Sequence, residues 1–286
     1  MTTTAIGASP RSPVQRVRTT TLVSAVSVVA LWIIISLIAG HDASGQRMVP
    51  GPFDLVRGFD KFADYWPGGL GVEATALGGQ VTTGAAVLGF IYNTGITLTH
   101  TILGVILGTL VAVGAAALIS WSQHVRQAAS LPAHVGRLLP LLAMTSLFAL
   151  WFGDSHLGVV LFVAFTSFAL VFPIALGSIG SVPAYYAQYA RSLGASGLRT
   201  YLEVILPAGL PPIRSGVLLA LGFGWSASIA AEYITAQYGL GHIVKNAEYF
   251  GLTGLLGLVG LIALVLAGVS LYVAERSFRW LTRWAE

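Results

Sequence analysis

The sequence predicts an all-α polytopic membrane protein, and three observations carry that expectation. Hydrophobic residues make up 55% of the 286 and charged residues only 9%. The mean hydropathy is +0.79, more than a water-soluble domain of this length needs for its core. The apolar residues also come in uncharged runs, and a membrane span takes roughly 20 of them. Such runs lie at about Leu22–Ala39, Thr94–Ile119, Leu138–Phe152, Leu157–Ile179, Ile213–Ala231 and Leu252–Ala274, which gives about six transmembrane helices.

Taken in order, residues 1–21 are rich in Thr, Ser and Pro and read as a disordered tail. Residues 22–39 form the first span. Arg16 and Arg18 ahead of it resemble a signal peptide, but the apolar run is longer than a signal core, so it reads as an uncleaved span. Residues 40–93 form a loop. Within it Ala74–Tyr92 is uncharged and admits two readings, a seventh span or an interfacial or re-entrant helix. Gly78-Gly79-Gln80 and Thr82-Thr83-Gly84 lower its helix propensity and favour the second. Residues 94–284 hold the other five spans.

Basic residues accumulate on the cytoplasmic side of membrane proteins. An inward N-terminus places Arg11, Arg16, Arg18, Arg126, Arg137, Arg191, Arg199, Arg214, Arg276, Arg279 and Arg283 inside, against Arg47, Arg57, Lys61 and Lys245 outside. Both termini are then cytoplasmic, and the net charge of +4 is an inner-face property suited to anionic lipid, not a nucleic-acid signature. The chain has no cysteine, so disulfides and thiol chemistry drop out.

One polar stretch interrupts the apolar runs. Pro183 can open a helix over Ala184 to Leu193. Gly194 can take the positive φ of a C-cap, and Ser196 can cap a second short helix running to about Ile205. Pro207, Pro211 and Pro212 are expected to break the chain before the fifth span. The small residues Ala187, Ala190, Gly194 and Ala195 beside Leu193 let another backbone approach, and Arg191 and Arg199 can meet acidic groups on it. The alternative is an amphipathic loop lying on the membrane.

This stretch resembles the coupling motif of permease subunits of ATP-binding-cassette importers: Glu-Ala-Ala, three residues, Gly, nine residues, Ile, one residue, Leu-Pro. Gln188, Tyr189 and Ala190 fill the triad, Gly194 the glycine, Val204 the isoleucine place and Leu206-Pro207 the end. The departures at Gln188 and Tyr189 are similar to those of the nitrate, taurine and sulfonate branch. So are Leu147-Phe148-Ala149-Leu150-Trp151-Phe152-Gly153, Ala231-Glu232 and Tyr238-Gly239-Leu240-Gly241. The resemblance covers roughly Thr94 to Trp284; the loop from His41 to Asn93 matches poorly.

The resemblance implies a type I importer permease in the inner membrane, working as a homodimer with a cytoplasmic ATP-binding subunit and an extracytoplasmic substrate-binding protein. Ala187, Ala190, Arg191, Leu193, Gly194, Ala195, Ser196 and Arg199 would face the ATPase, from coupling helices at about residues 183–205. The chain would bind no cofactor and catalyse nothing, with ATP and Mg on the partner. The branch handles small solutes such as sulfonates and aromatic acids, which gives a weak preference for a small organic anion.

The residues support that division of labour. A phosphate-cradling loop needs Gly-Lys-Ser/Thr, and the only lysines, Lys61 and Lys245, lack that context. The alternative is a self-sufficient secondary carrier or channel, which would show buried ionisable groups in its spans; here His100 stands almost alone. It shares a helix face with Thr97, where the branch commonly has Arg, and is a candidate path or gate residue paired with Glu232. Thr145, Ser146, Trp225, Ser226 and Ser228 are further path candidates, each weighed against plain helix packing. Gly194-Ala195-Ser196-Gly197 matches an intramembrane-protease pattern, but it lies in a polar segment between Arg191 and Arg199. Gly222-Phe223-Gly224 is half a dinucleotide fingerprint with no strand before it. The six histidines show no metal-ligand spacing.

Overall fold

The computed structural model describes residues 13–41, 45–235 and 237–281. The described chain is built of helices: α1 (Pro13–Ile38), α2 (Pro52–Phe59), α3 (Thr83–Ser120), α4 (Gln123–Gly136), α5 (Leu141–Phe152), α6 (His156–Gly180), α7 (Ala184–Ser192), α8 (Gly197–Thr200), α9 (Leu206–Thr235), α10 (Leu240–Tyr249) and α11 (Thr253–Leu281). Each of the six apolar runs coincides with one of them. Among the described residues, four helical stretches are long and apolar enough to cross a membrane: Thr83–Ser120, His156–Gly180, Gly197–Thr235 and Thr253–Trp280.

The centre is α3, α6 and α9 packed on one another. The approach of α3 to α6 is close because glycines face the contact. A methyl at Gly104 would stand 2.5 Å from Val163, and one at Gly108 would stand 2.7 Å from Ser167. Small residues at such crossings let membrane helices gain dispersion and packing where lipid supplies no hydrophobic drive. Val159, Phe162 and Val163 of α6 are buried against Val105 of α3 and Leu221, Ala227 and Ala231 of α9.

Four elements depart from the sequence expectation. Residues 1–12 of the predicted disordered tail lie outside the described residues, but from Pro13 the chain is already helical, since proline's fixed φ suits a helix start. Ala74–Tyr92 forms no separate helix of either kind. Thr75–Leu77 is a short 3-10 turn, Gly78 sits at φ +96°, and α3 begins at Thr83. Thr82 is not a breaker but an N-cap, its Oγ1 accepting from the Ala85 N–H at 3.1 Å. The 38-residue α3 is therefore about 57 Å long, far more than the roughly 30 Å hydrocarbon core needs. Its first turns are buried by protein: Ala85 and Ala86 pack with Phe62, Leu240, Ile243 and Leu255.

The third predicted span is short. Pro140 opens α5 and Gly153, at φ +59°, closes it after 12 residues, about 18 Å of rise. Finally, the three prolines do not break the chain: Leu206–Thr235 is one helix with Pro211 and Pro212 inside it. The π turn Tyr201–Ile205 precedes it, with the Leu206 N–H bonded to the Tyr201 carbonyl. That wider turn relieves the Pro207 ring against the carbonyl four residues back. Beside the Pro pair, the Ser178 hydroxyl of α6 donates to the Gly209 carbonyl at 2.6 Å, the kind of neighbour that makes proline tolerable in a spanning helix.

Candidate functional site

Two polar constructions stand out from this apolar frame, at opposite ends of α9. The first is the hairpin of α7 and α8. The α7 helix ends with two bonds, from the Gly194 N–H to the Arg191 carbonyl at 2.9 Å and from the Ala195 N–H to the Ala190 carbonyl at 3.1 Å. That pair is the Schellman arrangement, which needs a residue in the left-handed region; Gly194 supplies it at φ +86°. Ser196 then caps α8, its Oγ accepting from the Arg199 N–H at 3.3 Å. Arg199 Nε donates on to Glu203 at 2.8 Å.

The hairpin buries little of its apolar surface. Ala190 is turned inward at 7% exposure, whereas Leu193 stands 72% exposed beside exposed Tyr185, Tyr189 and Leu198. Ala187 and Ala195 are half-buried, and Arg191, Gly194, Ser196 and Arg199 lie on the surface. Nothing touches an added methyl at Gly194, so the glycine is required by its dihedral alone.

The second construction is a buried polar cluster. Asn93, Thr97 and His100 follow one another at helical spacing on α3, and Glu232 comes from the far end of α9. His100 Nδ1 lies 2.7 Å from Glu232 Oε1, with the two side chains 3% and 0% exposed. Thr97 Oγ1 donates to Glu232 Oε2 at 2.8 Å, and the Gly241 N–H reaches the same oxygen at 3.0 Å. The loop into α10 is held as well: the Leu240 N–H donates to Thr97 Oγ1 at 2.8 Å and the Gly239 N–H to Asn93 Oδ1 at 2.9 Å. Asn93 Nδ2 donates to the Tyr65 carbonyl at 3.0 Å, which ties in the 3-10 turn Asp60–Tyr65.

The carboxylate is thus met by donors, as a buried charge must be. His100 with its proton on Nδ1 gives a charge-assisted bond to Glu232. Its Nε2 lies 2.9 Å from Nδ1 of His156, the first residue of α6. His156 is exposed and stacks on Tyr238 with ring centroids 6.3 Å apart. The chain Glu232, His100, His156 therefore runs from the core to an apolar groove of about 710 Å³ between α3 and α6, lined also by Tyr92, Ile96, Leu103 and Val160. The three groups bond in series, not around a common point, and among the described residues no group of His, Cys, Asp or Glu is placed to share a metal.

Of the predicted path residues, Thr97, His100 and Glu232 come together here. Ser228 is buried one turn before Glu232, its hydroxyl without a partner among the described residues. Trp225 instead ties α9 to α11 through Nε1 to Ser270 Oγ at 2.9 Å. Thr145 bonds its own helix, to the Leu141 carbonyl at 2.8 Å. Ser146 and Ser226 lie on exposed faces. Asn93 and His156 belong to the cluster and were missed. Asn93 is signalled by an amide four and seven residues before Thr97 and His100 on one helix face; His156 carried no signal before α3 and α6 were packed.

A family model described as binding-protein-dependent transport system inner membrane component matches residues 104–285. The chain belongs to that family. The match takes in the second part of α3 and all of α4 to α11, with the hairpin and Glu232, and it places the chain in the inner membrane. The chain is 38% identical over 135 residues to the taurine transport system permease protein TauC of Escherichia coli strain K12, a stretch covering 47% of this chain and 46% of TauC. It is 27% identical over 227 residues to the putative aliphatic sulfonates transport permease protein SsuC of Bacillus subtilis strain 168, covering 79% and 73%. The matched stretch is thus about half the length of TauC. A chain of the inward-facing MetNI methionine ABC transporter shares the fold, with a TM-score of 0.58 at 15% identity over 66% of this chain and 94% of that one.

Proposed function

We propose that this chain is the permease subunit of an ATP-driven importer for a small organic anion of the sulfonate class, and that it works as a homodimer. The observation that carries the reading is the α7–α8 hairpin. Within a family of transport components it is a rigidly capped, polar projection with Leu193, Leu198 and Tyr189 exposed on it, which suits insertion into a groove on a cytoplasmic ATP-binding subunit. The coupling residues are Ala187, Ala190, Arg191, Leu193, Gly194, Ala195, Ser196 and Arg199. ATP and Mg belong to that partner, and the transported solute arrives on an extracytoplasmic binding protein. Both termini are cytoplasmic on this reading, in keeping with the basic residues gathered at the hairpin end.

The Asn93–Thr97–His100–Glu232 cluster at the other end of α9 serves as the outer gate. It pins α3, α9 and the loop into α10 to one another, so opening requires several buried bonds to exchange together. The solute class rests on the names of TauC and SsuC and on nothing in the outer surface of the chain.

Purification of the tagged full chain from its own membrane in mild detergent, followed by mass spectrometry, tests the reading. An ATP-binding subunit near one copy per permease together with a secreted binding protein is the expected result, and that binding protein should take up a sulfonate in a ligand screen. A chain that arrives alone and carries solute unaided would establish the secondary carrier instead.

A further inference from the structure

Beneath the hairpin lies a cavity of about 440 Å³, and of its lining residues the transport reading uses only Arg191. It is walled by the end of α3, the start of α4, the end of α6 and both helices of the hairpin, with Ser120, Trp121, Gln123, Arg126, Arg191 and Thr200 among its lining residues. Two arginines here have no carboxylate: among the described ion pairs, Arg199 is taken by Glu203 and Arg214 and Arg279 by Glu275, but neither Arg126 nor Arg191 is paired. Arg126 is half-buried, its guanidinium against Gly180 so closely that a methyl there would stand 2.7 Å from Nη1. Two hydroxyls on the same wall are 9% and 1% exposed, Ser120 and Thr200, and neither has a hydrogen-bond partner among the described residues.

Two unpaired guanidinium groups and two buried, unsatisfied hydroxyls line one cavity whose lining holds no carboxylate to balance them. Buried polar groups are ordinarily partnered, and guanidinium forks match planar or tetrahedral oxyanions with paired bonds. From this arrangement we infer that the cavity is a binding site for a tetrahedral oxyanion, a phosphate, sulfate or sulfonate group. Arg126 and Arg191 hold the charge, and the Ser120 and Thr200 hydroxyls, closed to solvent as they stand, turn toward the anion to donate. Because Arg126 is on α4 and Arg191 on α7, an occupied site braces the hairpin against α4. The group can arrive as a free anion or as the phosphodiester of an anionic lipid, since Trp121 of the cavity wall is itself exposed, as is Leu118 three residues before it. The inference does not rest on the importer reading.

The test is a binding measurement on the purified full chain, without ATPase or transport. Sodium sulfate is titrated by calorimetry against sodium chloride at equal ionic strength, with the chain in phosphatidylcholine nanodiscs. In parallel, chain extracted from its own membrane is scored by native mass spectrometry for retained phospholipid. The variants are Arg126→Gln and Thr200→Val, each first shown to keep the elution volume of the parent. Loss of one charged partner should weaken sulfate binding by about tenfold or more. Saturable sulfate binding lost in Arg126→Gln identifies the free anion. Phosphatidylglycerol retained by the parent and lost in Arg126→Gln, with sulfate inert, identifies the lipid. Sulfate binding and lipid retention indistinguishable between parent and both variants would overturn the site.

Discussion

Glu232 offers the sharpest test of the buried cluster, because two replacements of one residue separate its charge from its hydrogen-bond geometry. In Glu232→Ala three donors lose their acceptor: His100 Nδ1, the Thr97 hydroxyl and the Gly241 N–H, at 2.7, 2.8 and 3.0 Å. Side-chain hydrogen bonds within membrane proteins average about 0.6 kcal/mol and reach about 1.7, so three cost ~2–5 kcal/mol. At ~2–4 °C per kcal/mol for a chain of this size, the midpoint should fall by ~4–20 °C. Glu232→Gln behaves differently. Its carbonyl can take the Oε2 place and keep Thr97 and Gly241, leaving the amide NH₂ facing His100 Nδ1. His100 answers by moving its proton to Nε2, from which it donates to His156 Nδ1 at the 2.9 Å already present. Every bond survives in number, and the midpoint should fall by no more than ~3 °C. The assay is the thermal loss of the monodisperse peak in size-exclusion chromatography, with ¹⁵N chemical shifts of His100 reporting the tautomer. A glutamine variant as unstable as the alanine one, or one in which the proton stays on Nδ1, would refute the reasoning.

Leu193→Asp sits at an exposed position and should change stability by no more than about 0.5 kcal/mol, yet abolish the stimulation of ATP hydrolysis by binding protein in the reconstituted complex; full stimulation would mean the hairpin is not the coupling element. Gly194→Ala puts a Cβ at φ +86° in open space, costing about 1–2 kcal/mol, and should lower stimulation while leaving the chain membrane-inserted and dimeric by crosslinking. Gly239→Ala combines φ +97° with a methyl 2.5 Å from the Glu232 carboxylate, so its thermal midpoint should fall further than that of Gly194→Ala. Trp225→Phe removes the bond to Ser270 and part of a buried ring and should cost about 1–3 kcal/mol; combined with Ser270→Ala, which also loses the Ser270 bond to Ala267, the loss should be less than the sum of the two single losses, as read by thermal midpoints across the four proteins of the cycle.

What could be read in advance was, with one exception, decided within a few residues. Gly194 and Ser196 cap α7 and α8 as expected because a cap is a local contract between a side chain or dihedral and the adjoining turn. The apolar runs mark the helices because the bilayer imposes one solvent along a whole segment. The pairing of His100 with Glu232 was legible because isolated ionisable residues in apolar helices have few partners to choose from. The failures are non-local. Ala74–Tyr92 looked like a separate element because its apolar face suits lipid and protein equally, and only the seating of Phe62 and α10 against it decides that α3 begins at Thr83. The prolines of α9 look like breakers until the π turn before them and Ser178 opposite them are in place. Periodicity puts Asn93 on the face of Thr97 and His100, but not its bonds to Tyr65 and Gly239, and it says nothing of the contact between His156 and His100.

The continuity of α9 through its prolines bears on coupling in a way a broken chain could not. Helix runs without interruption over the 39 residues Gly197–Thr235, about 58 Å. The same rod carries the hairpin's second helix at one end and Glu232 at the other. A displacement imposed on Thr200 is passed along a hydrogen-bonded helix whose only irregular turns lie between Tyr201 and Pro212, next to the hairpin. Beyond Pro212 the helix is held to α6 by small-residue packing and to α11 by Trp225, and its last buried side chains clamp α3 and the loop into α10. Compliance is therefore concentrated at the hairpin end and discrete, exchangeable hydrogen bonds at the other. On the proposed importer reading this helix is the lever between the ATP-binding subunit and the outer gate, where His100 holds one oxygen of Glu232 and Thr97 and the Gly241 N–H hold the other.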